Sequence, residues 1–133
     1  MSMVTASLLP EPPRRQHPED DLQRACVQYL RVALPDDALY FHVPNGGQRH
    51  SRAAARLVGL GTRAGIPDLC VIYYGRLMCI ELKARRGALS AVQRQMHVKL
   101  QHCGVLVLLC RSVADVELGL RTWGVPLRAS VAA

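Results

Sequence analysis

The sequence predicts a single α/β domain in which helices pack on a central sheet. Its 133 residues are enough for about one globular domain. Half of the residues are apolar and one fifth are charged, which suits a compact core and excludes a wholly disordered chain. Segments with helical spacing and short strand-like runs follow one another in the order helix, strand, short helix, two strands, helix, strand, helix.

The first predicted element is a helix that follows a flexible arm. Residues 1–17 contain several prolines and few apolar side chains, so they predict a mobile N-terminal arm, and the domain itself is expected to span residues 18–127. The helix begins at Pro18, has acidic residues in its first turn and ends before Pro35. Its apolar residues recur at helical spacing: Leu22, Ala25, Cys26, Tyr29, Leu30 and Ala33.

A short strand and a short helix come next. The strand is expected at residues 38–43, and the sequence Pro-Asn-Gly-Gly at residues 44–47 ends it in a loop. The helix is expected from Ser51 to about Leu60. Arg52 and Arg56 lie four residues apart in it, which predicts a basic outer face.

Two further strand-like runs predict the centre of the sheet. Residues 69–74 and 77–84 are separated by Gly75 and Arg76, a spacing typical of an antiparallel β-hairpin. Ser90 then begins a third helix, in which a stripe of apolar residues is expected to pack on the sheet. The stripe consists of Val92, Met96, Leu100 and Cys103.

The last strand and helix are the most apolar part of the chain. Residues 105–110 form a continuous apolar run, as expected for a strand that is covered on both faces. The helix that begins at Ser112 has more apolar side chains than one stripe can bury, so some of them are expected to contact a partner. Residues 128–133 are expected to be a frayed tail. The apolar residues of the helix are Val113, Val116, Leu118, Leu120 and Trp123.

The distribution of charge indicates a polyanionic partner. Basic residues outnumber acidic ones by 17 to 10, and fifteen of the basic residues are arginine, whose planar guanidinium suits phosphate oxygens. Between Asp37 and Asp115 there are eleven basic residues but only two acids, Asp68 and Glu81. Carboxylates on a phosphate-binding surface are expected if they hold a cation that the phosphate also needs. The pattern therefore predicts a metal-dependent site that acts on nucleic acid.

The predicted hairpin brings both acids together with Lys83. Glu81 and Lys83 are two residues apart and share one face of a strand, while Asp68 begins the opposite strand, about 5 Å away. Hard carboxylate oxygens suit Mg²⁺, with Mn²⁺ expected to substitute. Lys83 could contact the scissile phosphate, orient a water or stabilise the transition state. The alternative is a solvated ion pair between Glu81 and Lys83, with Asp68 ending a turn.

Other polar residues could reach the same site. Glu19 projects from the core-facing side of the first helix, although compensation of the helix dipole also explains it. Gln93 could donate a hydrogen bond to water or phosphate, although a surface glutamine is the alternative. The histidines show no ligand spacing, and none is assigned to a metal. The candidate DNA contacts are Arg49, Arg52, Arg56, Arg63, Arg85, Arg86 and Arg94, with Lys99 on the third helix.

Short motifs occur in a fixed order along the chain. They are Gly65-Ile66-Pro67-Asp68-Leu69, Ile80-Glu81-Leu82-Lys83-Ala84, Ser90-Ala91-Val92-Gln93 and Gly104-Val105. In this order they resemble the VRR-NUC family, a branch of the PD-(D/E)xK nuclease superfamily. Upstream, Glu19-Asp20-Asp21-Leu22-Gln23 resembles the E-x-x-[IL]-Q of the family's first helix, so the resemblance covers residues 18–116.

The resemblance implies a fold, an activity and a set of site residues. The fold is a restriction-endonuclease-like αβββαβ core, with a mixed central sheet flanked by helices. Stand-alone members of this size resemble bacterial or phage enzymes that resolve DNA junctions as homodimers, in the bacterial cytoplasm or that of the phage's host. The implied metal ligands are Glu19, Asp68, Glu81 and the backbone carbonyl of Leu82, with Lys83 catalytic and Gln93 supporting them.

The sequence therefore predicts an Mg²⁺-dependent, structure-selective DNA endonuclease that prefers branched DNA such as a Holliday junction and acts as a homodimer. One alternative is a nuclease of the same fold that acts on flaps or duplex ends. Another is a DNA-binding module without catalysis. The longest aliphatic run, residues 105–110, is far shorter than a membrane span, and the N-terminus does not have the pattern of a secretory signal.

Overall fold

The computed structural model describes residues 17–44 and 51–131. Residues 1–16 of the predicted N-terminal arm and the predicted phosphate contact of Arg49 lie outside these residues. Within the described ranges no helix is long and apolar enough to cross a bilayer.

Helices and strands follow one another in the predicted order, close to the predicted boundaries. They are α1 (Pro18–Ala33), β1 (Ala38–His42), α2 (Ser51–Gly59), β2 (Leu69–Tyr73), β3 (Arg76–Leu82), α3 (Ala91–His102), β4 (Leu106–Cys110) and α4 (Val113–Trp123). The strands form one sheet in the order β1-β2-β3-β4. The first two pairings are antiparallel, whereas β4 is parallel to β3, with α3 as the crossover between them. The predicted α/β class, the mixed sheet and the central hairpin are confirmed.

The turn of the hairpin lies one residue earlier than the sequence predicts. Tyr73 pairs with Arg76, so the two loop residues are Tyr74 and Gly75. Both have positive φ, 49° and 72°, as a type I′ turn requires at its two central positions. Arg76 therefore belongs to β3, and its guanidinium lies over the ring of Trp123, with Cζ 4.9 Å from the ring centroid.

One face of the sheet forms the apolar core with α1 and α4. Because side chains alternate along a strand, every second residue of β2 and β3 faces this core. The fully or almost fully buried members from the hairpin are Leu69, Val71, Met78, Ile80 and Leu82. They pack with Cys26 and Leu30 of α1 and with Val116 and Leu120 of α4.

The opposite face of the sheet carries polar side chains and packs against α3. The apolar stripe predicted for this helix is wrong at both ends, since Val92 is 49% exposed and Cys103 is also exposed. Met96 and His97 are the buried residues of α3 instead. The face of α3 that packs on the sheet therefore differs from the predicted one, and it presents Gln93 and His97 to Glu81. The other four cysteines are buried.

The prediction that β4 is covered on both faces is confirmed only in part, because α3 and α4 both contact the strand but leave two of its leucines exposed. Among the described residues, β4 lies at the edge of the sheet and pairs with β3 alone. Leu106 and Leu109 are therefore exposed, together with Leu118 of α4, which is 66% exposed. These three leucines and Trp123 line a groove of about 500 Å³ between the strand and the helix.

The C-terminal segment is attached to the domain as far as residue 131, which corrects the prediction of a frayed tail. The backbone N–H of Arg128 donates to the carbonyl of Ala33 at 2.8 Å, at the end of α1. The N–H of Val131 donates to Oε2 of Glu117 at 2.9 Å, on α4. Hydrogen bonds to two helices therefore hold these residues in place.

Candidate active site

The β2–β3 hairpin places Asp68 and Glu81 opposite each other. The pairing register ends at Leu69 and Ile80, and the next residues along the two strands are Asp68 and Glu81. Oδ2 of Asp68 also accepts a hydrogen bond from the backbone N–H of Leu82 at 2.8 Å. The structure thus brings together the two acids that the charge pattern singled out.

The loop that leads into β2 is held against the start of α3. Gly65 has a φ of 83°, a conformation that favours glycine, and a Cβ at this position would lie 2.7 Å from the backbone oxygen of Val92. Only glycine fits such a close approach to the helix backbone. The next residues include the buried Pro67, so the path of the chain into Asp68 is fixed by packing.

Glu81 is a buried carboxyl, only 2% exposed. The pKa of Glu81 is raised from its ordinary value of 4.5 to about 8, first by burial and then by the negative charge of Asp68, while Lys83 opposes the rise. The pKa of Asp68 is also raised, chiefly by burial, although the hydrogen bond from Leu82 and the nearby His42 oppose the rise. Two carboxyls that are crowded together in this way repel each other when both are ionised, and a bound cation relieves that repulsion.

Lys83 follows Glu81 on the same strand. Its Nζ lies 3.9 Å from Oε1 of Glu81, and its side chain is almost buried. The backbone N–H of Lys83 donates to the carbonyl of Cys110 at 3.1 Å, which joins this end of β3 to β4. The ammonium is therefore held beside the two carboxyls, as the sequence predicts.

A turn at residues 84–87 closes one side of the site. The guanidinium of Arg111 donates through Nη1 to the backbone oxygens of Ala84 and Gly87, both at 2.8 Å. A Cβ on Gly87 would lie 3.0 Å from Oε1 of Glu19 and 3.3 Å from Cδ of Lys83. The turn therefore packs directly against side chains of the site.

Glu19 lies at the rim of the site rather than in its centre. It is exposed at the first turn of α1, and its negative charge contributes to the raised pKa values of Asp68 and Glu81. Within residues 17–44 and 51–131, no three His, Cys, Asp or Glu side chains are close enough to form a ready-made metal site. The structure thus assembles the Asp68 and Glu81 pair, with Glu19 nearby but outside it.

Gln93 supports Glu81 from the first turn of α3. Its Nε2 donates to Oε1 of Glu81 at 2.9 Å, and its Oε1 accepts a hydrogen bond from the backbone N–H of Ser90, also at 2.9 Å. Ser90, which the sequence predicts at the start of this helix, is its N-cap, because its Oγ accepts from the backbone N–H of Gln93. This capping box fixes the glutamine amide in place.

Two histidines near the carboxyls were not identified from the sequence. His97 is only 8% exposed, and its Nε2 lies 3.7 Å from Oε2 of Glu81. Burial and the charge of Lys83 lower the pKa of His97. His42, at the end of β1, donates from Nδ1 to the backbone oxygen of Asp68. The position of His97 four residues after Gln93 was a usable signal, because residues four apart share a helix face.

The candidate phosphate contacts within the described residues lie on exposed positions. Arg85 and Arg86 lie on the 84–87 turn, Arg52 and Arg56 lie on α2, and all four are exposed. Arg63 and Arg94 are exposed as well, and Nη1 of Arg94 donates to the carbonyl of Leu89 at 2.7 Å.

The donor set fits a hard divalent cation. Asp68 and Glu81 offer adjacent carboxylate oxygens, and Oε2 of Glu81 is buried without a hydrogen-bond partner. The backbone carbonyl of Leu82 follows directly on β3. Carboxylate and carbonyl oxygens are the ligands that Mg²⁺ and Mn²⁺ prefer.

Solved structures with the same fold are known. One, a "VRR_NUC domain protein", superposes with a TM-score of 0.64 at 19% sequence identity, over 83% of this chain and 90% of that chain. A second, a "VRR_NUC domain", gives a TM-score of 0.56 at 18% identity, over 81% of this chain and 99% of that chain. No protein-family profile and no curated protein sequence matches the chain. The chain therefore has the fold of VRR_NUC domain proteins, the fold that its motifs predict.

Proposed function

We propose that this chain is a metal-dependent DNA endonuclease that hydrolyses phosphodiester bonds. The observation that carries the proposal is the pair of facing carboxyls, Asp68 and Glu81, with the Lys83 ammonium 3.9 Å from Glu81. These are two of the few acids on a chain with a net charge of +7. The description of two structures of the same fold as VRR_NUC domains is consistent with this activity.

The carboxyl side chains would hold the cation. Asp68, Glu81 and the Leu82 carbonyl would hold Mg²⁺ or Mn²⁺, with Glu19 contributing from the rim. A divalent cation, when bound, activates water for attack on phosphorus and offsets the charge that develops on the phosphate oxygens. A cation held there would offset the repulsion between the two carboxyls, whose pKa values are raised first by burial.

The remaining polar residues orient the site and bind the substrate. Lys83 directs its ammonium at the reacting phosphate and stabilises the negative charge of the transition state. Gln93 holds Oε1 of Glu81 through the 2.9 Å hydrogen bond. Arg85 and Arg86 on the adjacent turn, together with the arginines of α2, bind the DNA backbone on either side of the scissile bond.

The proposed substrate is branched DNA, and the proposed active form is a homodimer. A four-way junction has two strands to cut symmetrically, and a two-fold dimer provides two sites on one substrate. The exposed Leu106, Leu109 and Leu118 form an apolar surface between β4 and α4. We propose that a second copy of the chain covers this surface.

A cleavage assay with labelled four-way junction, flap and linear duplex tests the proposal. Wild-type protein should cut the junction with Mg²⁺ or Mn²⁺ and cut nothing in EDTA. A Glu81→Gln variant purified in parallel controls for contaminating nucleases. Preferential cutting of flaps or duplex ends would replace the junction preference, and DNA binding without any cleavage would reject the nuclease.

Light scattering at micromolar concentration tests the dimer. The expected mass is about twice the 14.7 kDa of the chain. A Leu118→Asp variant should dissociate the dimer, because it places a charge on the apolar surface. A monomer that still cuts both strands of the junction symmetrically would contradict the homodimer.

A further inference from the structure

Two buried polar atoms without hydrogen-bond partners face each other beneath the candidate site. They are Oε2 of Glu81 and Nε2 of His97, the two unpartnered buried side-chain atoms within the described part of the chain. The distance between them is 3.7 Å. Buried polar atoms are almost always paired in folded proteins, so two opposed unpartnered atoms indicate a contact that the site can form.

The helix α3 aims two side chains at the same carboxylate. Gln93 and His97 are four residues apart and therefore lie on one face of the helix, with the Ser90 capping box fixing its first turn. Gln93 already donates to Oε1 of Glu81. His97 faces the other oxygen, so the helix presents one nitrogen to each oxygen of Glu81.

A short movement completes the second contact. An N–H···O hydrogen bond is at most about 3.2 Å long, so the two atoms need to approach by roughly 0.5 Å. Small rotations about the side-chain torsions of Glu81 and His97 supply this approach. An imidazole protonated at Nε2 donates from that atom and leaves Nδ1 as an acceptor.

We infer that His97 is a positioning residue, which donates a hydrogen bond from Nε2 to Oε2 of Glu81 and, with Gln93, fixes the carboxylate in the orientation that binds the divalent cation. The inference rests on the proposed function, because it requires Glu81 to be a metal ligand. Outer-shell donors to metal-binding carboxylates typically change metal affinity 10–100-fold when they are removed.

Substitutions at His97 that differ in the reach of their donor test this role. The amide nitrogen of His97→Gln lies close to the position of Nε2, the amide of His97→Asn is one bond shorter, and His97→Leu has no donor. The matched control is His102→Leu, an exposed histidine on the same helix. Two readouts are needed: Mn²⁺ affinity from a titration followed by the electron paramagnetic resonance of free Mn²⁺, and the Mg²⁺ dependence of single-turnover cleavage.

The expected order of Mn²⁺ affinity separates hydrogen bonding from packing. His97→Leu and His97→Asn should weaken Mn²⁺ binding by about tenfold or more, whereas His97→Gln should restore it to within about threefold of wild type. The Mg²⁺ concentration for half-maximal cleavage should rise in the same order, and His102→Leu should change neither value. If His97→Leu does not fold, the comparison of His97→Gln with His97→Asn still decides between the two explanations.

Nuclear magnetic resonance gives an independent measurement in the presence of Mg²⁺. A long-range ¹H–¹⁵N spectrum of the wild-type protein should show His97 protonated at Nε2. Protonation at Nδ1 alone in the Mg²⁺-bound protein would overturn the inference. Equal Mn²⁺ affinity of wild type, His97→Gln and His97→Asn, or equal loss in both variants, would also overturn it.

The proposed function and this inference fail in different ways. Wild-type protein that binds no Mn²⁺ and cuts no DNA would reject the proposed function, and with it the role of His97. Wild-type protein that binds Mn²⁺ and cuts DNA, while the His97 variants behave like wild type, would reject only the role of His97.

Discussion

The two faces of the β2–β3 hairpin differ sharply, although the same two strands form both. The face toward α1 and α4 is hydrocarbon, with residues such as Leu69 and Ile80 completely buried. The face toward α3 carries Asp68 and Glu81, and the carboxyl of Glu81 is buried against Gln93 and His97. One face supplies the apolar burial that stabilises the domain, and the other holds buried polar groups, which we propose form the active site.

This division depends on the two-residue period of a strand. Asp68 precedes Leu69 and Glu81 follows Ile80, so the register that buries the two apolar residues also sets the two acids opposite each other. A slip of one residue would exchange the two faces. The packing of the core therefore determines the geometry of the site. Substitutions on the α3 face should mainly affect DNA cleavage, whereas substitutions on the core face should mainly affect stability.

The largest effect is expected from the carboxyls of the α3 face. Asp68→Ala or Glu81→Ala should lower the rate of DNA cleavage by more than about 10³-fold, because each removes a proposed ligand of the catalytic cation. DNA binding in Ca²⁺ or EDTA should be unchanged or tighter, since a negative charge has been removed. Single-turnover cleavage and fluorescence anisotropy measure the two quantities, and near wild-type cleavage by either variant would contradict the assignment of the site.

Lys83 should affect the rate of DNA cleavage and not the affinity for DNA. Lys83→Ala should lower the single-turnover rate by about 10²–10³-fold, the range seen when one electrostatic stabiliser of a transition state is removed. Arg85→Ala on the adjacent turn is the matched control, and it should mainly weaken DNA binding. If Lys83→Ala weakens binding at an unchanged rate, Lys83 is an ordinary phosphate contact.

On the core face, the expected effect is on stability. Leu69→Ala should lower the free energy of unfolding by about 2–5 kcal/mol, because it leaves a cavity beneath α1 and α4. The neighbouring Cys70→Ala, on the α3 face, removes one sulfur atom and should have a smaller effect, below about 2 kcal/mol. Urea unfolding monitored by circular dichroism measures both, and equal losses would mean that the two faces contribute alike to stability.

The smallest effect is a pH dependence of stability that Glu81 introduces. Its pKa in the folded chain, about 8, lies above its ordinary value of 4.5, so the folded chain binds the proton more tightly than the unfolded chain. This contribution to stability is complete below about pH 4.5 and is lost as the pH rises toward 8.

Glu81→Gln isolates this contribution, because the glutamine does not titrate. In EDTA the variant should become more stable than wild type as the pH rises from 4.5 to 8, by more than about 1 kcal/mol at the upper end. Mg²⁺ should reduce the difference by stabilising the wild type. Parallel stability curves of the two proteins across this pH range would mean that the carboxyl of Glu81 is not destabilised in the folded state.

The sequence predicts the hairpin and its acids well because they depend on local rules. The alternation of residues 69–74 and 77–84 determines which side chains share a face, and the motifs around Asp68 and Glu81 lie within one hairpin. Gln93 is predictable for a similar reason, since Ser90 caps the helix three residues before it. Within the hairpin, the observed loop residues differ from the predicted ones. Tyr73 pairs with Arg76, so the loop consists of Tyr74 and Gly75 instead of Gly75 and Arg76.

The features that the sequence misses depend on contacts between distant segments. His97 is buried because α3 turns this residue toward Glu81. A prediction based on the spacing of apolar residues cannot identify this contact, because both side chains are polar. The exposure of Leu106 follows from the edge position of β4, which an apolar run does not reveal. The attachment of Arg128 depends on the carbonyl of Ala33, which ends the first helix and is distant in the sequence.

The two-residue turn at Tyr74 and Gly75 has a consequence for the order of folding. Hairpins close in roughly 1–10 μs, whereas the parallel pairing of β3 with β4 must wait for the longer crossover through α3. We therefore expect Asp68 and Glu81 to meet at the start of folding, so that their repulsion acts on the folding transition state. Stopped-flow refolding in EDTA at neutral pH should then be faster for Glu81→Gln than for wild type, and identical refolding rates would show that the two carboxyls meet only late. The repulsion between the two carboxylates would thus already be present in the hairpin, the first structure that the chain forms.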